Sequence, residues 1–223
     1  MRFWVYIDGF NLYNGALKST CYKWLDLQAF CQKLLLPNDT IDKIKYFTAS
    51  VNARVTDPNQ QLRQKTYWRA LLTIPCIEII EGHFLSKKTW MPEASSVEHL
   101  AQLAALGQNV RGHRPNMLEV YRSEEKGSDV NLAAHLIHDA HLGRFDCAMV
   151  ISNDSDFKES VKIVKQEIGK LVGIYVPRSQ RPSAQLRSVA SFFRTIPTSA
   201  IRDSQFPDQL TDSRGTFHKP SSW

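Results

Sequence analysis

The chain has 223 residues, of which 43% are hydrophobic and 22% charged, values typical of a globular protein with a substantial buried core. No apolar run approaches the roughly 18 residues of a membrane-spanning helix, and the four cysteines form no Cys-x-x-Cys pair, which argues against a zinc knuckle or a disulfide framework. The net charge of +6 permits binding to a polyanion but does not require it.

Apolar segments alternate with helical segments along the chain, which is the βαβ pattern of a parallel sheet. Strands are predicted near residues 3–8, 43–50, 76–81, 117–122, 146–152 and 171–176. Helices are predicted near residues 10–17, 26–35, 58–73, 128–142, 155–168 and 183–191. The sequence therefore predicts an α/β fold with helices on both faces of the sheet. Because the first strand begins so close to the N-terminus, no signal peptide is expected, and we predict a cytoplasmic protein.

One domain is predicted over residues 1–196, interrupted by an inserted loop at 84–115 that breaks the alternation and contains a short helix near 96–105. A connection of this length is usually functional or mobile. Residues 197–223 lack periodicity but are rich in aromatic side chains, so we predict a C-terminal tail packed on the domain.

Four aspartates occupy comparable positions in this pattern. Asp8 ends the first strand, Asp129 opens the helix near 128, and Asp154 and Asp156 follow the strand near 146–152. Clustered carboxylates raise each other's pKa values unless a cation neutralises them, and Mg²⁺ and Mn²⁺ prefer such oxygen ligands. The pattern predicts a metal site at the carboxyl edge of the sheet. The alternative is that these residues only cap helices and favour their first turns.

Several polar residues near these acids are candidate substrate contacts. Asn11, three residues after Asp8, either orients a carboxylate or a phosphate, or forms a local Asx turn. Basic residues that follow the relevant strands are predicted to meet the phosphates of a nucleic acid, against the alternative of a solvated basic surface. They are Arg54, Arg63, Lys126, Arg178 and Arg181.

Other enzyme classes have little support in the sequence. No His-x-x-x-His pair indicates a zinc hydrolase, no nucleophile elbow indicates a serine hydrolase, and no Gly-x-Gly-x-x-Gly or Walker loop indicates a nucleotide-cofactor enzyme.

Three blocks of sequence resemble one known family. Residues 5–13 read Val-Tyr-Ile-Asp-Gly-Phe-Asn-Leu-Tyr, residues 125–133 read Glu-Lys-Gly-Ser-Asp-Val-Asn-Leu-Ala, and residues 150–157 read Val-Ile-Ser-Asn-Asp-Ser-Asp-Phe. In their order and spacing they are similar to the NYN domains, relatives of the PIN-like and FLAP nucleases. The chain departs from that pattern at His135, where many members carry an aspartate, and at Asn153, where glycine is common.

The resemblance implies a Rossmann-like, PIN-like parallel sheet and hydrolysis of RNA phosphodiester bonds by a metal-activated water. It implies that Mg²⁺ or Mn²⁺ is held by Asp8, Asp129, Asp154 and Asp156, with Asn11 and Ser152 assisting. The expected partner is single-stranded or structured RNA and not a membrane, and a homodimer is compatible with the sequence. An alternative is an RNA-binding or regulatory module with little or no cleavage activity. The same acids would also serve a phosphatase or a DNA nuclease.

Overall fold

Seven strands form the main sheet, and most of them follow the apolar segments of the sequence. The computed structural model describes residues 1–53, 56–177 and 181–223, except for the side chain of Ser123. The strands are β1 (Arg2–Asp8), β2 (Thr40–Ala49), β3 (Ile77–Pro92), β4 (Met117–Lys126), β5 (Cys147–Ile151), β6 (Leu171–Pro177) and β7 (Phe192–Ile196). Their order is β4-β3-β2-β1-β5-β6-β7. Every pair from β3 to β7 is parallel, with β1 between β2 and β5.

Helices connect these strands. They are α1 (Gly9–Leu12), α2 (Leu27–Lys33), α3 (Gln60–Leu71), α4 (Ala94–Ala105), α5 (Ser128–His141), α6 (Lys158–Lys162), α7 (Ala184–Val189) and α8 (Thr198–Arg202). The first and sixth continue as π-helical turns at Tyr13–Leu17 and Ile163–Glu167, and a 3₁₀ turn at Ser155–Phe157 precedes α6. Among the described helices, none has both the length and the apolar character needed to cross a membrane.

Apolar layers cover both faces of the sheet. On β1, Val5 and Ile7 belong to the layer formed with α2 and α3, whereas Tyr6 belongs to the layer formed with α5, α6 and α7. Successive side chains of a strand point to opposite faces, so a strand buried throughout requires helices on each side. The prediction of a mixed α/β fold with a mostly parallel sheet is confirmed.

Residues 84–125 form a compact unit of their own, and residues 1–83 and 126–223 form the other. The smaller unit contains the distal part of β3, all of α4 and most of β4. The structure therefore differs from the inserted loop predicted at 84–115, because β3 continues to Pro92 and the helix begins at Ala94. The side chains of this part of β3 are mostly exposed, so the apolar pattern that identifies a buried strand is missing.

The residues after Pro197 are more regular than the sequence predicted. They form α8 and an antiparallel hairpin of β8 (Gln209–Asp212) and β9 (Gly215–His218). Trp24, fully buried between α1 and α2, meets the rings of Phe206, Phe217 and Trp223 at centroid distances of 5.8, 6.5 and 6.3 Å. These edge-to-face contacts attach the C-terminal residues to the apolar layer on the α2 side of the sheet.

Replacing Phe217 by alanine is expected to lower the free energy of unfolding by about 3 to 5 kcal/mol. The ring is 7% exposed, packs on Trp24 and lies 4.1 Å beneath the guanidinium of Arg69. Urea denaturation followed by tryptophan fluorescence measures the loss. Leu72→Ala, at a side chain 59% exposed, is the control and should change the free energy by less than about 0.5 kcal/mol. Equal losses in the two variants would contradict this packing role.

Candidate active site at the carboxyl edge of the sheet

Asp8 lies at the end of the central strand β1 and is only 7% exposed. Its Oδ1 accepts a hydrogen bond from the backbone N–H of Asn11 at 2.9 Å, which caps α1. Its Oδ2 accepts from the Ser152 hydroxyl at 3.0 Å. Since β1 and β5 are parallel neighbours, the residues that follow them meet at the same edge. The carboxylate is therefore held in one orientation by two elements.

Gly9 allows the chain to turn immediately after Asp8. A Cβ atom at this position would lie 2.7 Å from the ring of Tyr46 and 2.8 Å from the carbonyl oxygen of Phe47. No larger residue fits without moving β2. The Asp-Gly sequence thus lets α1 begin directly over the neighbouring strand.

The segment after β5 brings a second carboxylate to Asp8. The backbone N–H of Asp154 donates to the Ser152 hydroxyl oxygen at 3.1 Å, so this hydroxyl bridges Asp8 and the Asp154 backbone. The side-chain oxygen of Asn11 accepts from the Asn153 N–H at 3.2 Å. The structure therefore brings together four residues that the sequence singled out: Asp8, Asn11, Ser152 and Asp154.

The electrostatics of Asp8 reflect this crowding. Burial raises the pKa of its carboxyl group, and the negative charge of Asp154 raises it further. The hydrogen bonds from the Asn11 N–H and the Ser152 hydroxyl oppose these effects. Two mutually repelling carboxylates at one partly closed edge form an arrangement that a cation would stabilise.

The other two predicted acids have no hydrogen bond to Asp8 among the described contacts. Asp156 is exposed, and its backbone N–H donates to Asp154 Oδ1 at 3.0 Å. Asp129 is partly buried in the first turn of α5, a helix that packs against both β1 and the 3₁₀ turn. The preceding Gly127 has a φ of 96°, a left-handed conformation that favours glycine, and Lys126 before it is exposed.

Asp8 and Asp154 could hold a divalent cation if waters and a substrate phosphate supply its remaining ligands. Within residues 1–53, 56–177 and 181–223, no group of three or more His, Cys, Asp or Glu side chains is arranged to hold a metal ion. The described side chains therefore do not form a complete set of four aspartate ligands around one point. Mg²⁺, however, is often held by one or two carboxylates, with waters and substrate phosphates completing its shell. The donor set of Asp8 and Asp154 matches that mode.

Of the basic residues predicted to contact phosphates, three are not found beside Asp8 in the described structure. Arg54 and Arg178 lie outside the described residues. Arg63 is paired with Asp57 and lines a cavity of about 350 Å³ whose wall includes C-terminal residues such as His218 and Pro220. The contacts of Arg63 are therefore with Asp57 and this cavity, and they do not involve Asp8.

Asn153 is a residue whose role the sequence did not reveal. Its side-chain amide donates to the carbonyl oxygen of Arg181 at 2.8 Å, and its side-chain oxygen accepts from the Ser183 N–H at 2.8 Å. Asn153 thereby fixes the segment that carries the exposed Arg181 against the turn that carries Asp154. The signal available in the sequence was the departure from the glycine common in the resembled family.

A buried ionic network beneath the site was also missed. Asp139, fully buried on α5, accepts hydrogen bonds from the Tyr6 hydroxyl at 2.9 Å and from Lys45 Nζ at 2.5 Å, and its other oxygen accepts from Arg144 at 2.8 Å. Burial and the charge of Asp139 raise the pKa of Tyr6, which keeps that hydroxyl protonated as a donor. One carboxylate thus ties α5 to β1 and β2, the elements that carry or adjoin the aspartates at the edge.

His135 belongs to this network, since it contacts Lys45. Its Nδ1 lies 2.9 Å from Lys45 Nζ, and since an ammonium can only donate, this nitrogen is the acceptor. Burial and the positive charge of Lys45 lower the pKa of His135, which favours the neutral ring. The histidine is therefore partly buried and paired with Lys45.

One of the comparisons with known proteins confirms the family that the sequence resembles. The sequence model described as NYN domain matches residues 2–197. A 6-hydroxy-3-succinoylpyridine 3-monooxygenase from Pseudomonas putida is 29% identical over 245 residues, which cover 100% of this chain and 75% of that protein. A protein of unknown function from Vibrio parahaemolyticus has a similar structure, with a TM-score of 0.53 at 17% identity, over 88% of this chain and 93% of that one. The last likeness concerns the fold alone.

Replacing Asp139 by asparagine is expected to cost about 3 to 5 kcal/mol of unfolding free energy, because Lys45 and Arg144 would face each other without a buried counter-charge. Urea denaturation measures the effect. Asp208→Asn, at a side chain 88% exposed, is the matched control and should be nearly neutral. A small and equal change in both variants would contradict the role assigned to the network.

Replacing Asn153 by alanine is expected to speed amide hydrogen exchange at Ser183 and in the first turn of α7, since both side-chain hydrogen bonds to this segment are lost. Hydrogen exchange followed by mass spectrometry measures the change. Asn153→Asp keeps the acceptor for Ser183 but loses the donor to Arg181, so an intermediate effect is expected. Asn38→Ala, at an exposed position, serves as control. Unchanged exchange in Asn153→Ala would show that the segment is held by other contacts.

Proposed function

Because the chain belongs to the NYN domain family, whose members are generally nucleases, we propose that it is a ribonuclease that hydrolyses RNA phosphodiester bonds with Mg²⁺ or Mn²⁺ as cofactor. The observation that carries the proposal is the pairing of buried Asp8 with Asp154 at the carboxyl edge of the sheet, through the shared Ser152 hydroxyl. The proposed fold within the α/β class is the Rossmann-like arrangement of PIN-like nucleases.

Asp8 and Asp154 are proposed as the direct ligands of the cation, with Asp129 and Asp156 contributing directly or through water. When bound, the divalent cation would supply charge neutralisation at the phosphate oxygens and acidify a coordinated water. The remaining contributions come from the protein. Ser152 holds Asp8 in one orientation, and a fixed carboxylate loses little entropy when it engages its ligand.

Binding of the RNA backbone is assigned to cationic and amide groups around this edge. Lys126 is the last residue of β4 and Arg181 follows β6, and both are exposed, so their side chains are proposed to contact phosphates. Asn11 already uses its side-chain oxygen to bind Asn153, and its amide nitrogen is the group proposed to face a phosphate oxygen. The proposed substrate is single-stranded or structured RNA.

Two other functions, RNA binding without cleavage and monooxygenation, would give different experimental results. An RNA-binding module with little or no cleavage would retain RNA affinity without turnover. The relative from Pseudomonas putida is named for monooxygenation of 6-hydroxy-3-succinoylpyridine, and its similarity extends over the whole chain, including the residues beyond 197. Incubating the purified protein with that compound, and following its consumption by chromatography, distinguishes this second candidate from the nuclease.

Asp154→Asn is expected to lower the rate of RNA cleavage by at least about 10- to 100-fold, since loss of even an outer partner of a metal site has that effect. RNA affinity, measured by fluorescence anisotropy, should change only a few-fold. End-labelled single-stranded RNA, duplex RNA and DNA, each with Mg²⁺, Mn²⁺ or a chelator, identify the substrate and the cofactor.

Asp208→Asn is the matched control, because this aspartate is 88% exposed and its ion pair is with Lys219. Unchanged cleavage in Asp154→Asn, or full cleavage in the presence of chelator, would refute the proposal. No cleavage by the unmodified chain, combined with retained RNA binding, would favour the binding module.

A further inference from the structure

The unit formed by residues 84–125 has an unusual distribution of apolar side chains. None of its described side chains is buried, whereas the other unit contains two extended apolar layers. Eight large hydrophobic residues of the smaller unit are between 41% and 80% exposed: Leu85, Trp90, Met91, Val97, Leu106, Met117, Leu118 and Tyr121. Ordering a backbone costs roughly 1 to 2 kcal/mol per residue, and here no buried apolar core offsets that cost. This distribution indicates a surface that another molecule covers.

One face of this unit can be defined from its contacts. Lys88 Nζ lies 5.5 Å from the ring centroid of Tyr121 and 3.2 Å from the carboxylate of Glu119, which places these three side chains together. Because side chains alternate along a strand, Trp90 of β3 and Met117 of β4 share the face of Lys88 and Glu119. We call this set of five residues the arm face. It consists of two aromatic rings and one thioether around a single ion pair.

We propose that the arm face is a homodimer interface, in which it packs against the arm face of a second copy of this chain. Trp90 is 63% and Tyr121 is 80% exposed, and large aromatic side chains of this kind dominate the binding energy of protein interfaces. A two-stranded ribbon is marginally stable on its own, and pairing would bury the apolar groups that the fold leaves in water.

The charges of the unit favour a protein partner over RNA. Residues 84–125 contain five Lys or Arg and five Glu residues, so the net charge of +6 comes from the rest of the chain. Two of the cations are paired within the unit, Lys88 with Glu119 and Arg122 with Glu124. Affinity for a phosphate backbone depends on cations that replace its counterions. A unit with no net charge and two of its five cations already paired offers little of that attraction.

The same charges are complementary to a second copy. A twofold interface brings residue i of one protomer to residue j of its partner, and j to i. Lys88 and Glu119 therefore supply each protomer with one cation and one anion that can be exchanged between the two copies. The apolar part of this interface would come from Trp90, Met117 and Tyr121, each of which is at least 47% exposed.

Sedimentation velocity of the full chain, over protein concentrations of about 1 to 100 μM, tests the proposal. A concentration-dependent dimer is expected. The double variant Trp90→Ser, Tyr121→Ser is expected to weaken the dimer at least about 30-fold, the effect of losing a hot-spot side chain. Leu72→Ser and Leu142→Ser, at exposed positions of the other unit, are the controls and should leave the dimer unchanged.

Reversing the charges of Lys88 and Glu119 tests whether these residues meet each other across the dimer interface. Lys88→Glu and Glu119→Lys, each alone, should weaken the dimer because like charges would meet across the twofold axis. An equimolar mixture of the two variants should restore it, since each cation then meets an anion of the partner. Circular dichroism confirms that every variant keeps the folded main unit, whose apolar layers contain none of these residues.

Three results would overturn the proposal. The first is a monomer at every concentration, and the second is a dimer that the arm variants leave intact. The third is loss of RNA affinity in Trp90→Ser, Tyr121→Ser with no change in oligomeric state, which would assign the arm face to RNA. All three are independent of whether the chain cleaves RNA, because none of the measurements uses turnover.

Discussion

The hydrogen bond from the Ser152 hydroxyl to Asp8 is the interaction on which the candidate site depends. It joins the ends of two neighbouring parallel strands, and the same oxygen accepts the N–H that begins the Asp154 turn. Burial by itself would favour the protonated form of Asp8, and this hydrogen bond acts in the opposite direction. The protonation of Asp8 therefore depends on two opposing effects: burial raises its pKa, and the hydrogen bonds from Ser152 and Asn11 lower it.

A second constraint is the buried ionic network around Asp139. Asp139 is fully buried yet fully paired, because a tyrosine hydroxyl, a lysine and an arginine all donate to it. Such a network contributes less to stability than an apolar core would, but it is costly to break and it permits few alternative arrangements. Its effect here is to fix α5 on the sheet, and with it the first turn that carries Asp129.

The sequence predicted the central part of the fold well and its periphery less well. The strands β1, β5 and β6 were placed within one residue at most ends, because each is a continuous apolar segment buried on both faces. The strand β7 and the hairpin of β8 and β9 were missed, because in short strands of this kind apolar and polar residues are mixed. The apolar pattern that predicts a strand is then weak. The long exposed strand β3 was predicted too short for the same reason.

Asn153 was noticed only as a departure from a family pattern, because hydrogen bonds to a segment 28 residues away leave no pattern in the local sequence.

By itself, the sequence determined the α/β class, the position of Asp8, Asp129, Asp154 and Asp156 at strand ends or helix starts, and the family to which the chain belongs. These are local properties, set by apolar periodicity and by short motifs. Only the tertiary structure decided that Asp8 and Asp154 are joined through Ser152, that His135 serves Lys45, and that residues 84–125 keep their apolar side chains in water. Distances between residues far apart in the chain depend on strand order and helix packing, which no local pattern encodes.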